Sequence, residues 1–168
     1  MKRRFARLCL LFLAWMVVAP AAAETLRGVV IVVIDGDTVL FKPDHYHPSG
    51  RAFLQIRLAD IDAPERDQPY GDAATQALTA RLLNQRVEVD TVATDVYGRT
   101  IARIRMDGEE IGTDLVRRGL AWTGTRSRRA SVLQAAQRQA RLSRRGLWRD
   151  AAPMPPWVWR RVHSASGY

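Results

Sequence analysis

Apolar and polar residues alternate along much of this chain, and where they do the spacing predicts short strands. From Leu26 to Ile34 the sequence is rich in Val and Ile; Asp35 and Gly36 interrupt it, and Thr38 to Phe41 resumes it, which predicts two strands about a bend. A third strand is expected over Ala52 to Leu58, after a polar loop from Pro43 to Arg51. The period then changes. Ala74, Ala77, Leu78 and Leu82 fall at i, i+3, i+4 and i+8, the rhythm of an amphipathic helix, which Asn84 and Gln85 are expected to end. Alternation returns at Val87 and Val89, and again at Ala102, Ile104 and Met106, giving two more strands joined through Thr94 to Gly98. Asp107-Gly108 is a strong hairpin signal. Thr113 is expected to cap a short helix that Gly119 stops, and Ser131 to Arg145 to form a longer one closed by Gly146.

Five short strands, with one helix inserted after the third and further helices behind, fit a small closed or partly closed barrel better than a βαβ sheet. The expected fold class is therefore mixed α+β, mainly β: a five-stranded OB-type β-barrel with about three α-helices. The chain has 168 residues, enough for one domain with a core of its own.

The N-terminal pattern is of another kind. Lys2, Arg3, Arg4 and Arg7 precede an unbroken apolar run from Leu8 to Val18, followed by Pro20 and three alanines. This is the layout of a secretory signal, and the run is well short of the roughly 20 residues a spanning helix needs. Residues 1–23 are expected to be a signal peptide, the alternative being a retained cell-surface anchor, 24–150 the barrel domain and 151–168 a Pro- and Trp-containing tail. That tail either folds back to pack a tryptophan on the barrel or extends as a weak contact site. An exported protein follows, periplasmic or extracellular, monomeric and without stable membrane insertion once the signal is cut. Cleavage takes four of the 26 basic residues and none of the 17 acidic ones, lowering the formal charge from +9 to about +5. A basic domain favours a polyanionic partner, although charge alone does not separate nucleic acid from other polyanions. The single cysteine, Cys9, leaves with the signal, so disulfides and thiolate chemistry are excluded from the mature chain.

Three segments carry chemistry: Ile34-Asp35-Gly36-Asp37-Thr38, Arg57-Leu58-Ala59-Asp60-Ile61-Asp62-Ala63-Pro64-Glu65, and Asp95-Val96-Tyr97-Gly98-Arg99. Each alone reads as a polar turn or loop. In this order and at these spacings they resemble the staphylococcal nuclease (thermonuclease) family, a likeness running from about Leu26 to Trp148 and including Val116 to Ala121 and Gly146-Leu147-Trp148. The resemblance implies Ca²⁺ ligands at Asp37, Asp62 and the backbone carbonyl of Ala63, catalytic arginines at Arg57 and Arg99, and a general base at Glu65. The residue types suit those roles. Ca²⁺ takes carboxylate and carbonyl oxygens, Pro64 biases Ala63 to an extended backbone, and guanidinium presents a fixed fork to phosphate oxygens. A carboxylate of ordinary pKa is a weak base for water, so Glu65 is expected to position water at least as much as deprotonate it. Removing either arginine is expected to leave folding nearly intact.

Asp35 reads equally as a support for the metal ligands and as a turn carboxylate, and Tyr97 equally as a substrate contact and as core. After Ala121 the chain reads Trp122-Thr123-Gly124-Thr125, without the tyrosines that some relatives place there, so Trp122 either replaces them against the substrate or belongs to the core. The arginines from Arg126 to Arg145 read first as a solvated face beside the apolar stripe Leu133, Ala136 and Ala140. His45 and His47 lack the further ligands of a zinc site and are taken as surface residues. The implied activity is calcium-dependent endonucleolytic hydrolysis of DNA, RNA or both, leaving 3′-phosphate and 5′-hydroxyl ends. The alternatives are a catalytically silent nucleic-acid-binding barrel and an adaptor for some other polyanion.

Overall fold

The structure is a computed structural model and describes residues 25–45, 50–124 and 130–164. The expected signal with its cysteine, His47 and three of the arginines (Arg126, Arg128 and Arg129) lie outside them. Strands β1 (Thr25–Val33), β2 (Thr38–Pro43) and β3 (Leu54–Leu58) form an antiparallel meander. The chain turns through a two-residue strand β4 (Ile61–Asp62) into helix α1 (Gly71–Leu82). It then returns as β5 (Arg86–Thr94) and β6 (Thr100–Met106). β5 pairs antiparallel with both β1 and β6, and β6 pairs parallel with β3. That last pairing closes a five-stranded barrel and removes the free edges an open sheet would present. Register shifts between Val30 and Val32 and between Thr91 and Ala93 supply the extra bend that closure requires.

Alternation decides what fills the barrel. Val30, Val39, Phe41, Ile56, Val89, Ala102 and Ile104 are fully buried, while the residues between them face out. α1 closes one side through Ala74, Ala77, Leu78 and Leu82, the four positions its period marks. Asn84 follows in the left-handed conformation and Gln85 returns the chain to β1 by accepting the Val30 amide. The Asp107-Gly108 turn has positive φ at both residues and joins β6 to a short β7 (Glu109–Glu110), as expected of this dipeptide. Helix α2 (Ile111–Arg117), a short β8 (Trp122–Thr123) paired with β4, helix α3 (Ala130–Leu142) and a 3₁₀ turn (Gly146–Arg149) complete the main body. Leu133 and Ala140 of α3 are buried and Ala136 is half-buried.

Four details differ from the sequence reading. β3 begins at Leu54, not Ala52. Thr113 does not cap α2, which starts two residues earlier; its hydroxyl donates to Glu110 Oε2 at 3.2 Å. α3 ends at Leu142, because Arg144 takes a left-handed backbone and the Arg145 amide reaches back to the Ala140 carbonyl. Gly146 serves another purpose: a Cβ there would stand 2.1 Å from the Gly119 carbonyl oxygen, and one on Gly119 would stand 2.2 Å from that of Arg145. Two backbones cross where only hydrogen fits. The last difference is α4 (Pro156–Ser164), a fourth α-helix among the described residues, in what reads as tail. Pro156 opens it, at the one helical position where a missing amide proton costs nothing.

Candidate active site

The bend between β1 and β2 places Asp37 at the barrel rim with its side chain only 3% exposed. Asp35 holds the bend: its Oδ1 accepts the Asp37 amide at 3.0 Å. Thr38 then pairs across the sheet with Arg57, whose outward position on β3 puts its guanidinium beside the Asp37 carboxylate. Arg57 Nη1 donates to Asp37 Oδ1 at 2.5 Å and Nη2 to Asp62 Oδ1 at 2.7 Å, so a single fork joins carboxylates from two segments. Asp37 Oδ2 accepts the Ala63 amide at 3.0 Å. Burial pushes the Asp37 carboxyl up to about 7; Arg57 and the Ala63 amide pull against that, while Asp35 and Asp62 add to it. Burial would lower the Arg57 pKa, but Asp37 and Asp62 outweigh it and raise it.

Glu65 belongs to the irregular stretch between β4 and α1. That stretch folds tightly, with Gln68 accepting the Glu65 amide through Oε1 at 3.1 Å and the Gly71 amide donating to the Gln68 carbonyl at 2.9 Å. A Cβ on Gly71 would lie 1.8 Å from the Glu65 carbonyl oxygen, so glycine is required for the loop to close and aim Glu65 at the rim. Its carboxylate bonds neither Arg57 nor a backbone amide among the described residues. It accepts from Arg160 Nη1 at 2.6 Å, and the same guanidinium spans both oxygens of Asp62, at 3.1 Å and 2.7 Å. Those carboxylate hydrogen bonds hold the Arg160 pKa above its usual value.

Arg99 stands just ahead of β6, the strand that pairs with β3. Asp95 Oδ1 accepts the amides of Tyr97 and Arg99, each at 2.9 Å, and Oδ2 takes Arg99 Nε at 2.7 Å, which stiffens the turn. Desolvation pushes the Asp95 carboxyl up, but these bonds outweigh it and hold it below its usual value. The Arg99 guanidinium lies 5.4 Å from the Tyr97 ring, which is 82% exposed and thus available for contact rather than part of the core. Asp35, Gln55, Arg57, Glu65, Tyr97, Arg99 and Arg160 line one open cleft of about 600 Å³. Its guanidinium groups give it the charge a phosphodiester demands.

The structure therefore gathers Asp37, Arg57, Asp62 and, through Arg160, Glu65 into one hydrogen-bonded group and brings Arg99 and Tyr97 to the same cleft. Asp35 is the turn carboxylate of the β1–β2 bend and also lines the cleft. Trp122 does not face the cleft. It is buried, with its ring centroid 4.4 Å from Trp148 and 5.5 Å from Trp157, because β4 and β8 pair and turn it inward. Arg141 lies over the Trp148 ring at 4.2 Å, so at least this arginine of α3 packs on an aromatic face rather than forming a phosphate track. Arg160 and Gln55 escape the sequence reading. The available signal for Arg160 is its place three residues after Trp157, on the same side of a helix as that anchoring ring.

Among the described residues no three His, Cys, Asp or Glu side chains are grouped to hold a metal by themselves. The donor chemistry nevertheless suits a hard cation. Asp37 and Asp62 share one cationic partner, Arg57, while Asp62 and Glu65 share another, Arg160, so the group demands positive charge. Ca²⁺ completes its shell with carbonyl and water oxygens where side chains are few.

A sequence profile of the family described as Staphylococcal nuclease homologue matches residues 55–150. A protein of Escherichia coli O157:H7 named as an uncharacterized endonuclease is 35% identical over 159 residues, which cover 94% of this chain and 97% of that one. The Escherichia coli protein named ParB is 37% identical over 160 residues, 89% and 87% of the two chains. The Shigella flexneri protein named Micrococcal nuclease is 33% identical over 158 residues, 88% and 87% of the two chains. With the profile covering more than half of its residues and such relatives matching most of its length, this chain belongs to the staphylococcal nuclease homologue family.

Proposed function

We propose that the protein is a calcium-dependent endonuclease that hydrolyses phosphodiester bonds in DNA, RNA or both, leaving 3′-phosphate and 5′-hydroxyl ends. The observation that carries this reading is the fork of Arg57 on Asp37 and Asp62 at the wall of a cleft that Glu65 and Arg99 also line. A passive binder of nucleic acid has no use for buried carboxylates beside its phosphate-binding arginines, since they repel the ligand.

Asp37, Asp62 and the Ala63 carbonyl would hold Ca²⁺, which when bound supplies positive charge to the phosphate and to the water near it. Arg57 and Arg99, which line the same cleft, bind non-bridging phosphate oxygens and stabilise the charge that grows on them as phosphorus becomes five-coordinate. Glu65 orients the water and receives its proton. The attacking oxygen bonds to phosphorus, the bond to the 5′-oxygen breaks, and that oxygen leaves as a hydroxyl with a proton taken from solvent water. Tyr97 offers an exposed ring to a neighbouring base. The N-terminal pattern supports an exported enzyme acting on nucleic acid outside the cytoplasm.

The test is the purified mature protein on single-stranded and duplex DNA and RNA, with Ca²⁺ or chelator, and with end analysis of the products. Binding without cleavage under every condition would establish the silent barrel instead.

A further inference from the structure

Arg160 sits where a cation is called for. Its guanidinium takes both oxygens of Asp62 and one of Glu65, and Asp62 Oδ1 also accepts from Arg57. Three of the roughly four acceptor sites of Asp62 are thus taken by N–H donors, so a divalent ion bound to this carboxylate competes with them for its oxygens and meets the Arg160 guanidinium beside the one site left. Arg57 is the less replaceable partner, because it alone joins Asp62 to Asp37 and its side chain is 21% exposed against 43% for Arg160.

The arginine is delivered by a helix with anchors of its own. The Trp157 ring packs edge-on against Trp122, Trp159 Nε1 donates to Asp67 Oδ1 at 3.2 Å, and Gln68 Nε2 donates to the Met154 carbonyl at 2.6 Å. None of these contacts involves the acidic group. α4 therefore stays docked whether or not Arg160 is seated, which keeps the guanidinium at a high effective concentration beside Asp62.

We propose that Arg160 is a built-in competitor of the divalent cation: seated, it neutralises Asp62 and Glu65 and blocks the ligand oxygens; displaced, it frees both carboxylates together. This rests on the calcium reading above and adds its regulation. Because seated Arg160 and bound cation exclude each other, apparent cation affinity is reduced by the fraction of molecules in the seated state. A protein so equipped is silent at low free cation without needing a partner to hold it off. Glu65, tied to a guanidinium while the latch is closed, becomes able to receive a proton when the cation binds.

The experiment is calorimetric titration of Ca²⁺ into the full mature chain without nucleic acid, for wild type and for R160Q, R160K and R161Q. Arg161 lies exposed on the same helix, and R161Q removes the same charge from it. R160Q is expected to bind about tenfold more tightly than wild type, the lower end of what hydrogen bonds to charged groups are worth, because the arginine is partly exposed. R160K, which keeps the charge and loses the two-pronged fork, is expected between the two, and R161Q within about twofold of wild type. Equal or weaker binding by R160Q overturns the competition. So does R160K indistinguishable from wild type beside a tighter R160Q, since charge alone would then explain the gain. Absence of binding in all four folded proteins brings down the calcium reading itself and this inference with it.

Discussion

Arg57 and Arg99 carry the same group in different settings, and their removal is expected to read differently. Arg57 is the shared partner of two carboxylates that are 3% and 12% exposed, so Arg57→Ala leaves Asp37 without its guanidinium partner and Asp62 with Arg160 alone. A loss of about 2–3 kcal/mol in urea unfolding is expected, along with a fall in kcat of at least about a hundredfold. Here the structure departs from the sequence-based expectation that both arginines are dispensable for folding. Among the described residues the ion-pair partner of Arg99 is the nearby Asp95, and its ring contact is the exposed Tyr97, so Arg99→Ala should unfold like wild type while losing a comparable share of kcat. Asp37 gives a second prediction at this scale. Burial pushes its carboxyl up from the usual 3.8 to about 7, so the folded state holds the proton more tightly than the unfolded chain. The stability it contributes is complete below the lower value and lost as pH rises through the upper one. With chelator present, wild type should lose stability relative to Asp37→Asn between about pH 4 and pH 7; a pH-independent difference in urea unfolding would refute this.

At the scale of elements, the site depends on segments with little regular structure of their own. The loop from Pro64 to Tyr70 is fixed by the close approach of Gly71 to the Glu65 carbonyl. Gly71→Ala should therefore push Glu65 off the rim, and kcat is expected to fall much further than the melting temperature, as paired kinetics and thermal unfolding would reveal. The strands were legible because alternation at period two fixes which face is buried, and α1 because its four apolar positions meet one wall of the barrel. α4 was not legible. Its nine residues follow Pro153 and Pro155 and open on Pro156, a cluster that reads as a break in structure, and the helix is held by Trp157, Trp159 and Gln68, contacts that exist only after the barrel has formed.

For the whole molecule, a cation shared by segments on both sides of β3 joins parts of the chain far apart in sequence. Ca²⁺ at about a hundredfold over its dissociation constant should stabilise the protein by roughly 2.7 kcal/mol, a rise of roughly 5–10 °C in melting temperature that chelator reverses. No shift on adding Ca²⁺ would contradict a site formed in the folded state. The barrel is what makes such a site possible. β3 pairs with β2 on one side and β6 on the other, so Arg57 lies at the seam where the sheet closes on itself, with Asp37 and Arg99 reaching it from the two flanking segments.

The sequence by itself determined the barrel, its helix insertion and the identity of the acidic and arginine groups, because alternation, turn chemistry and motif spacing are local properties of the chain. Tertiary structure alone decided which groups meet. Asp60 and Asp62 stand two apart in one motif, yet Asp60 turns in a left-handed conformation to bind Arg103 while Asp62 enters the site. Trp122 was turned into an aromatic cluster by strand pairing, and Arg160 was carried across 95 positions to Glu65 by the docking of one helix. Such contacts are set by how faces pack, and no local pattern encodes them.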